Sequence, residues 1–385
     1  MIEVDDLLTL GDDFHFAKMQ ELQERFKFGK FKFLHEEKQG VSFNGRRLRM
    51  KEDGTYLIDM QKFIQERLRE VPLQVGRASK REEDANEEER KEARAVIGAL
   101  TWAAKEGRPD CAAAASIIAG TLNRMKVQDV LDLNKAVREA KKTAGLCLQI
   151  QPIPSSRMIW GVVTDASYAN AQENSSQGAY GVICADESIP SEGSGKMNLL
   201  HWRSGKMHRI MNSTLAAESQ SLSKGLSELA WTITVYKDMV TEGFDLREWQ
   251  QSLRDQRVVT LTKDDMDETL KRSLCVVDAK SLFDHLVKET VGCTDDKRTA
   301  IEMQVIRQTM QETGSSIRWV PHPKMFMDCL TKRAGNRVPL LQLLDTGRYS
   351  LCDNEVNKNC EESVNQAAQC HHEHSTFDLM SSLLQ

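Results

Sequence analysis

The second half of the sequence predicts a mixed α/β fold, with one sheet that is antiparallel in its front half and parallel in its back half. Three apolar, strand-like segments come first, and one long helical stretch follows them. Two further strand-like segments then alternate with helical stretches. This order is typical of such a sheet, because hairpins join antiparallel strands whereas helices join parallel ones.

Five strands are predicted from apolar runs with clear ends. They cover residues 158–165, 178–186, 198–202, 273–277 and 316–320. The predicted helices have apolar positions at helical spacing. They cover residues 212–240, 279–290 and 294–313, and a last helix starts within 323–332. Asn212 or Ser213 is a suitable N-cap for the long helix, since both residue types accept hydrogen bonds from free helix amides.

The first 150 residues predict a separate α+β region. A short hairpin, a helix, a strand-like segment with two tight turns, and four further helical stretches follow one another. They cover residues 1–11, 13–26, 31–59, 59–71, 90–106, 110–122 and 127–143. Pro152 and Pro154 then predict a linker. We therefore expect one domain at 1–150 and another at 157–335.

Two polar segments are expected to lie outside these domains. Residues 243–272 are predicted to be an insertion or loop. The tail at 352–385 is rich in Asn, Gln, Glu and Ser, and we expect it to lack fixed structure. The tail holds three cysteines and three histidines, but it lacks the second pair of ligands that a zinc site needs.

Composition excludes several classes of protein. The longest apolar runs fall short of the roughly 20 residues that a membrane span needs, and the N-terminus predicts no signal peptide. The nine cysteines are scattered and form no Cys-x-x-Cys pair, which favours the reducing cytoplasm or nucleus. Because the net charge is −5, a nucleic-acid partner would require positive charge that is local, helped by metal ions.

Four acidic residues are candidates for a shared site. Taken singly, three have ordinary explanations: Asp278 could cap a helix, Glu218 could lie on a helix surface, and Asp328 could favour a helix start. Asp165 is harder to explain in that way, because it ends an apolar strand, where acidic residues are depleted.

The order of the four acids is more informative than any one of them. Asp165 and Asp278 end the first and fourth strands, which are expected to be neighbours at the centre of the sheet. Glu218 lies early in the long helix and Asp328 on the last helix, so all four carboxylates should converge. Carboxylates that are so close repel one another unless cations neutralise them, and oxygen ligands favour Mg²⁺ or Mn²⁺. Two such ions can activate a water molecule and stabilise the leaving oxygen of a phosphodiester.

Four segments in this order resemble the ribonuclease H domain of copia-type retrotransposons. They are Val162-Val163-Thr164-Asp165-Ala166-Ser167-Tyr168-Ala169, Trp202-Arg203-Ser204 with Ser213-Thr214-Leu215-Ala216-Ala217-Glu218, Val276-Val277-Asp278-Ala279-Lys280-Ser281-Leu282, and Met327-Asp328-Cys329-Leu330-Thr331-Lys332. The resemblance implies a ribonuclease H-like α/β fold with a mixed five-stranded sheet. It also implies that Asp165, Glu218, Asp278 and Asp328 bind two Mg²⁺ (or Mn²⁺) ions and that the enzyme hydrolyses the RNA strand of RNA–DNA hybrids.

The first 150 residues resemble the preceding part of the same polyprotein. Glu3-Val4-Asp5-Asp6-Leu7-Leu8 is similar to the aspartate-pair hairpin of a reverse transcriptase palm. The region is thus expected to be the end of a palm followed by thumb-like and connection segments. Asp5 and Asp6 would be orphaned polymerase aspartates, and this chain alone should not polymerise DNA. A complete reverse transcriptase or a polyprotein is a candidate partner.

Several other polar residues are candidates for supporting roles. His322 lies six residues before Asp328, and related ribonucleases use a histidine upstream of the last aspartate; a loop histidine between two prolines is the ordinary alternative. Basic residues that could contact phosphates of the hybrid are Arg203, Lys206, Arg209 and Lys332. Arg203, Lys206 and Arg209 are expected in the connection between the third strand and the long helix.

Three alternatives remain beside an active ribonuclease. A decayed or domesticated remnant would keep the fold and bind nucleic acid or a partner without cutting. An integrase-type nuclease would order its acids Asp, Asp, Glu, whereas here the Glu is second. A dinucleotide-binding enzyme would carry Gly-x-Gly-x-x-Gly after its first strand, and this sequence has no such motif there.

Overall fold

The computed structural model describes residues 2–3, 6–171, 175–248, 251, 273–287 and 296–351. Asp5, most of the 243–272 segment and the 352–385 tail lie outside the described residues. Asp6 is described only as part of a short strand. No helix of the described ranges has the length and apolar character that crossing a membrane requires.

The main sheet of the described residues has six strands. They are β7 (Met158–Ala171), β8 (Ser175–Asp186), β9 (Ser194–Lys206), β10 (Ser273–Val277), β11 (Ser315–Trp319) and β12 (Arg348–Ser350). Their order across the sheet is β11-β10-β7-β8-β9-β12. The β7, β8 and β9 strands are antiparallel, whereas β7, β10 and β11 are parallel. The mixed sheet predicted from the sequence is confirmed.

The prediction of five strands is wrong, because a sixth strand lies at the edge of the sheet. Helix α10 (Val338–Thr346; the helices are numbered in chain order below) ends at Gly347, whose φ of 63° reverses the chain. The following three residues then pair with the start of β9, with Tyr349 opposite Gly195. Three residues are too few to show a period of two, so no pattern in the sequence indicates this strand.

The first strand is longer than predicted, which changes the place of Asp165. β7 continues to Ala171, and the antiparallel ladder pairs Asp165 with Ala179 and Ser167 with Gln177. Asp165 therefore lies within a strand and not at its end. Polar residues beyond Asp165 hid the continuation, because apolar alternation stops there while the backbone pairing goes on.

The described residues before the main sheet form a second sheet and five α-helices. Val41–Phe43 (β3), Arg46–Met50 (β4), Tyr56–Asp59 (β5) and Cys147–Ile150 (β6) form this sheet, after a hairpin of Ile2–Glu3 (β1) and Asp6–Leu7 (β2). The helices are α1 (Asp13–Arg25), α2 (Gln61–Arg67), α3 (Glu87–Glu106), α4 (Ala112–Ala119) and α5 (Val127–Lys142). The sequence did not predict β6, which pairs with β5 about 90 residues upstream.

Helices cover both faces of the main sheet. Within the described ranges, the further helices are α6 (Ser188–Glu192), α7 (Thr214–Val240), α8 (Lys280–Val287) and α9 (Lys297–Thr313). Val162 points to an apolar cluster with α7 and α9, while its neighbour Val163 belongs to a larger cluster with α3, α4 and α5, as strand alternation requires. Buried side chains from both sides of Pro152 pack in that larger cluster.

Candidate metal centre

Three of the four predicted acids meet at one point. Asp165 lies on β7, Glu218 on α7 and Asp278 directly after β10. Each offers a carboxylate oxygen, and these atoms all lie within 4.8 Å of one another. The sheet causes this meeting, because parallel pairing sets Val163 beside Val276 and so aligns the two acids that follow.

The first turns of α7 bring Glu218 to the strands. Ser213 caps the helix by accepting a hydrogen bond from the Ala216 amide at 3.1 Å. One turn further on, the Ser221 hydroxyl donates to the backbone carbonyl of Asp165 at 3.0 Å and to that of Ala179 at 2.8 Å. Helix and strands are thus fixed to each other beside the carboxylates.

Burial makes negative charge costly at this point. Asp165 is 2% exposed and Glu218 is 8% exposed. Burial, together with the neighbouring charge of Asp278, raises the pKa of Asp165 to about 7. Burial and the charges of Asp165 and Asp278 raise the pKa of Glu218 well above its usual value. The Glu218 Oε2 atom is buried and has no hydrogen-bond partner among the described residues.

The fourth acid, Asp328, lies in a turn and not on the predicted last helix. Between Pro321 and the start of α10, the described chain forms two short 3₁₀ turns, His322–Lys324 and Asp328–Leu330. The next helix, α10, begins only at Val338.

Asp328 is connected to the other acids through its neighbours. The Thr331 hydroxyl donates to Asp165 Oδ2 and also to the backbone carbonyl of Asp328. The Lys332 ammonium contacts Asp328 Oδ1, and the Asn336 amide donates to Asp328 Oδ2 at 2.7 Å. Both oxygens of this carboxylate therefore have partners.

His322 stands between two of the acids. Its Nδ1 atom is 2.9 Å from Asp278 Oδ2, and its Nε2 atom is 3.5 Å from Asp328 Oδ1. The side chain is 57% exposed, so the imidazole reaches both the carboxylates and the solvent. Its place between two prolines does not keep it away from the acids.

The other predicted basic residues lie elsewhere. Arg203 and Lys206 belong to β9, so the prediction that they lie in a connection is wrong for these two; the ladder runs further than the apolar pattern. Arg209 does follow the strand, and it pairs with Glu302 at 3.3 Å. In the described structure, Lys332 is the basic candidate that contacts one of the four acids, Asp328.

Sequence reasoning missed the polar residues that hold the acids in place. Thr331, Asn336 and Ser221 each make a hydrogen bond to Asp165 or Asp328. Thr331 lies inside the fourth motif, which was a usable signal. Asn336 and Ser221 reach the acids only because the chain is folded, so their positions in the sequence do not indicate these hydrogen bonds.

The donor set fits a hard divalent cation. All donors at the meeting point are carboxylate oxygens, two of the three residues are almost fully buried, and one oxygen has no partner among the described residues. Such a group could hold a metal ion, because a cation removes the repulsion that raises the two pKa values. Oxygen ligands favour Mg²⁺, Mn²⁺ or Ca²⁺ over softer metals.

A solved structure resembles part of this chain, whereas the two sequence comparisons give no match. No protein-family model matches it, and no curated protein matches it. Among solved structures, the chain is similar to LC11-RNase H1, isolated from compost by a metagenomic approach, with 15% identity and a TM-score of 0.28. The alignment covers 47% of this chain and 97% of that chain. A likeness at this TM-score does not support a functional assignment, which has to rest on the geometry of the site.

Proposed function

We propose that the chain is a ribonuclease H that hydrolyses the RNA strand of RNA–DNA hybrids with the help of two divalent metal ions. The observation that carries this proposal is the meeting of three buried carboxylates, Asp165, Glu218 and Asp278, with Asp328 connected to them by hydrogen bonds. These are the four residues at which the sequence resembles the retrotransposon ribonuclease H motifs.

The metal ions we propose are Mg²⁺ or Mn²⁺. The all-oxygen donor set and the unpartnered Glu218 oxygen support this choice. When bound, two such ions supply activation of a water molecule and stabilisation of the departing 3′ oxygen of the RNA phosphodiester. Asp165, Glu218 and Asp278 would hold the ions, and Asp165 has the lowest exposure of the three.

The chain's own residues would orient the site and move protons. Thr331 holds the Asp165 carboxylate by donating a hydrogen bond to it. His322 contacts Asp278 and Asp328 and is open to solvent, so it can exchange a proton between the site and water. We therefore assign His322 an auxiliary role in proton transfer or product release.

Hybrid binding would use the positive side chains near the sheet. We assign the contacts with backbone phosphates to Arg203 and Lys206 at the end of β9 and to Arg209 beyond it. Enzymes of this type recognise the shape and the 2′-hydroxyls of the hybrid, so no base-reading motif is needed.

We further propose that the fold is ribonuclease H-like and that the chain derives from a copia-type polyprotein. On this proposal residues 157–335 are the nuclease domain, and residues 1–150 are the end of a reverse transcriptase palm with thumb-like and connection segments. The chain would act in the cytoplasm or nucleus, where a complete reverse transcriptase is a candidate partner.

The test is a cleavage assay with three proteins. Wild type, Asp165→Asn and Asp345→Asn are incubated with an RNA–DNA hybrid labelled on both strands, in Mg²⁺, Mn²⁺ or EDTA. Asp345 is an exposed acid on α10 and serves as the matched control. We expect metal-dependent loss of the RNA strand with wild type and the control, and none with Asp165→Asn.

Two results would speak against the proposal. Equal cleavage by wild type and Asp165→Asn would remove the assigned site. Absence of cleavage in both metals, combined with binding of the hybrid, would favour the alternative of a catalytically silent remnant that only binds nucleic acid.

A further inference from the structure

Lys332 places a cation of the protein itself against the carboxylates. Its ammonium contacts Asp328 Oδ1, four residues earlier in the chain. The residue before it, Thr331, donates to Asp165, so the backbone at this turn lies against two of the four acids. The Lys332 side chain is 37% exposed, which leaves it a path toward solvent.

The charge of Lys332 acts on all four acids. Burial alone would lower the pKa of its ammonium, yet the hydrogen bond to Asp328 and the charges of Asp165 and Asp278 raise that pKa. In return, the ammonium opposes the raised pKa values of Asp165 and Glu218. Lys332 thus supplies part of the positive charge that a metal ion would supply.

The acids differ in how many positively charged or hydrogen-bonding partners already lie beside their carboxylates. Asp328 has partners on both oxygens: Lys332 and His322 face Oδ1, and the Asn336 amide faces Oδ2. Glu218, in contrast, keeps a buried oxygen without a partner among the described residues. A divalent ion can therefore reach the unpartnered Glu218 oxygen without displacing the Lys332 ammonium, whereas an ion that uses Asp328 Oδ1 must first displace that ammonium.

We propose that Lys332 is a built-in competitor for the second metal ion. The first ion binds at the three converging carboxylates while Lys332 stays on Asp328. The second ion binds only when the ammonium leaves Asp328, and the freed ammonium is then available to a phosphate of the substrate. This inference rests on the proposed function for the number of ions, and it goes beyond it by assigning the order of binding and the residue that sets it.

The experiment is calorimetric titration of the full chain with Mn²⁺ and with Mg²⁺, without nucleic acid. The variants are Lys332→Gln, which removes the charge, and Lys332→Arg, which keeps it. The matched control is Lys280→Gln, because Lys280 also pairs with an acid four residues away, Asp284 at 2.8 Å. Asp284 does not belong to the group of converging carboxylates.

We expect two binding events in wild type, a tighter one and a weaker one. Lys332→Gln should tighten the weaker event by about tenfold, which corresponds to the loss of one charged hydrogen bond, and should leave the tighter event within about twofold. Lys332→Arg and Lys280→Gln should titrate like wild type. Isotherms that are the same for wild type and Lys332→Gln, including no binding in either, would overturn the proposal.

A parallel cleavage assay separates this proposal from the proposed function. If wild type binds two ions in the expected order but leaves the hybrid intact, the nuclease assignment fails and the competition by Lys332 stands. If wild type cleaves the hybrid but Lys332→Gln shows no change in the weaker event, the nuclease assignment stands and the competition fails.

Discussion

The two halves of the site are built in different ways. The sheet half consists of Asp165, Glu218 and Asp278. These acids lie on β7, on α7 and directly after β10. The turn half consists of Asp328 and the residues up to Arg337, which form short turns and loop. Backbone ladders and apolar packing fix the sheet half, whereas the turn half combines two buried apolar residues, Cys329 and Leu330, with individual polar contacts.

The contacts of the turn half reach the helices of the N-terminal region. Arg333 donates to Asp132 at 2.6 Å and to Asp129 at 2.9 Å, both on α5. Arg337 donates to Glu139 at 2.8 Å and to the buried Asp110 at 2.5 Å. Asp110 also accepts two hydrogen bonds from Arg108, whose side chain is fully buried. The fourth acid of the site therefore depends on residues about 200 positions upstream.

One glycine lets this loop close over Asp328. A Cβ added at Gly335 would lie 2.5 Å from the Asp328 carbonyl oxygen and 2.7 Å from Cys329 Cα. Backbone atoms cannot move aside as the end of a side chain can, so another residue here would push the loop away from the turn. We therefore expect the turn half to depend on its connection to α5 more than the sheet half does.

The largest expected effect is the loss of cleavage in the sheet half. Asp278→Asn should lower the rate of RNA cleavage by at least about a hundredfold, because a neutral amide no longer offers a charged ligand to the metal ions. Hybrid affinity should stay close to wild type. Single-turnover cleavage and anisotropy of a labelled hybrid measure the two properties; cleavage near the wild-type rate would contradict the assignment of Asp278.

The next effect concerns the connection of the turn half to α5. Arg337→Gln should lower the free energy of unfolding by about 3 kcal/mol, because it removes a partner from the buried Asp110 carboxylate. The variant should also need more Mg²⁺ for half-maximal cleavage, since the loop that carries Asp328 loses an anchor. Urea unfolding and a Mg²⁺ titration of activity measure these changes.

Arg138→Gln is the matched control for this prediction. Arg138 lies on α5, next to the Glu139 that Arg337 contacts, and pairs with Glu70, but both side chains of that pair are about half exposed. Its loss should cost about 0.5 kcal/mol or less and leave the Mg²⁺ requirement unchanged. If the two variants behaved alike, α5 would have no special role in holding the turn half.

The stability of the metal-free protein should fall as pH rises. Asp165 and Glu218 have raised pKa values in the folded state, so the fold binds more protons than the unfolded chain above about pH 4. Their contribution is present at lower pH and is lost as pH rises through about 7, the pKa of Asp165. We expect a loss on the order of 2 kcal/mol between pH 5 and pH 8 in EDTA.

Urea unfolding at the two pH values tests this dependence. Asp165→Asn should show a flatter profile than wild type and should be more stable than wild type at pH 8. Adding Mg²⁺ should stabilise wild type more at pH 8 than at pH 5. If wild-type stability in EDTA increased toward pH 8, with the same slope in Asp165→Asn, the pKa values of these two carboxyls would not be raised in the folded state.

A smaller effect is expected at the junction between the two halves. Thr331→Val keeps the volume of a fully buried side chain but removes the hydroxyl that donates to Asp165. Cleavage should slow by about tenfold, as is usual when a residue that orients a metal ligand is lost. Thr331→Ser keeps the hydroxyl and should recover most of the activity. If Thr331→Val and Thr331→Ser cleaved at the same rate, the hydrogen bond to Asp165 would not contribute to catalysis.

The sheet half was largely predictable from the sequence. The predicted strand at 273–277 matches β10 as observed, and the predicted helix at 212–240 differs from α7 by two residues at its start. The spacing of apolar residues and the length of each segment predict these elements. The position of Asp278 follows from the predicted end of β10. Even Asp165, which lies within a longer strand than expected, was placed beside Asp278 because the parallel pairing was predicted correctly.

The turn half was much less predictable. The last helix was expected around Asp328, but the structure has 3₁₀ turns there, and β12 follows further on. The contacts that hold Asp328 come from a backbone amide at Asn336, from Lys332 and, through Arg333, from α5. Such contacts join residues without any period or spacing in the sequence, so a pattern cannot indicate them.

The most direct test of the central claim is to map the ends of the cleavage products. An RNA–DNA hybrid with one labelled RNA strand is cut by wild type in Mg²⁺, and the RNA fragments are analysed by mass spectrometry. Two-ion hydrolysis with a departing 3′ oxygen predicts fragments with 3′-hydroxyl and 5′-phosphate ends and an intact DNA strand. Fragments with 2′,3′-cyclic phosphate ends, or cleavage that persists in EDTA, would contradict the account.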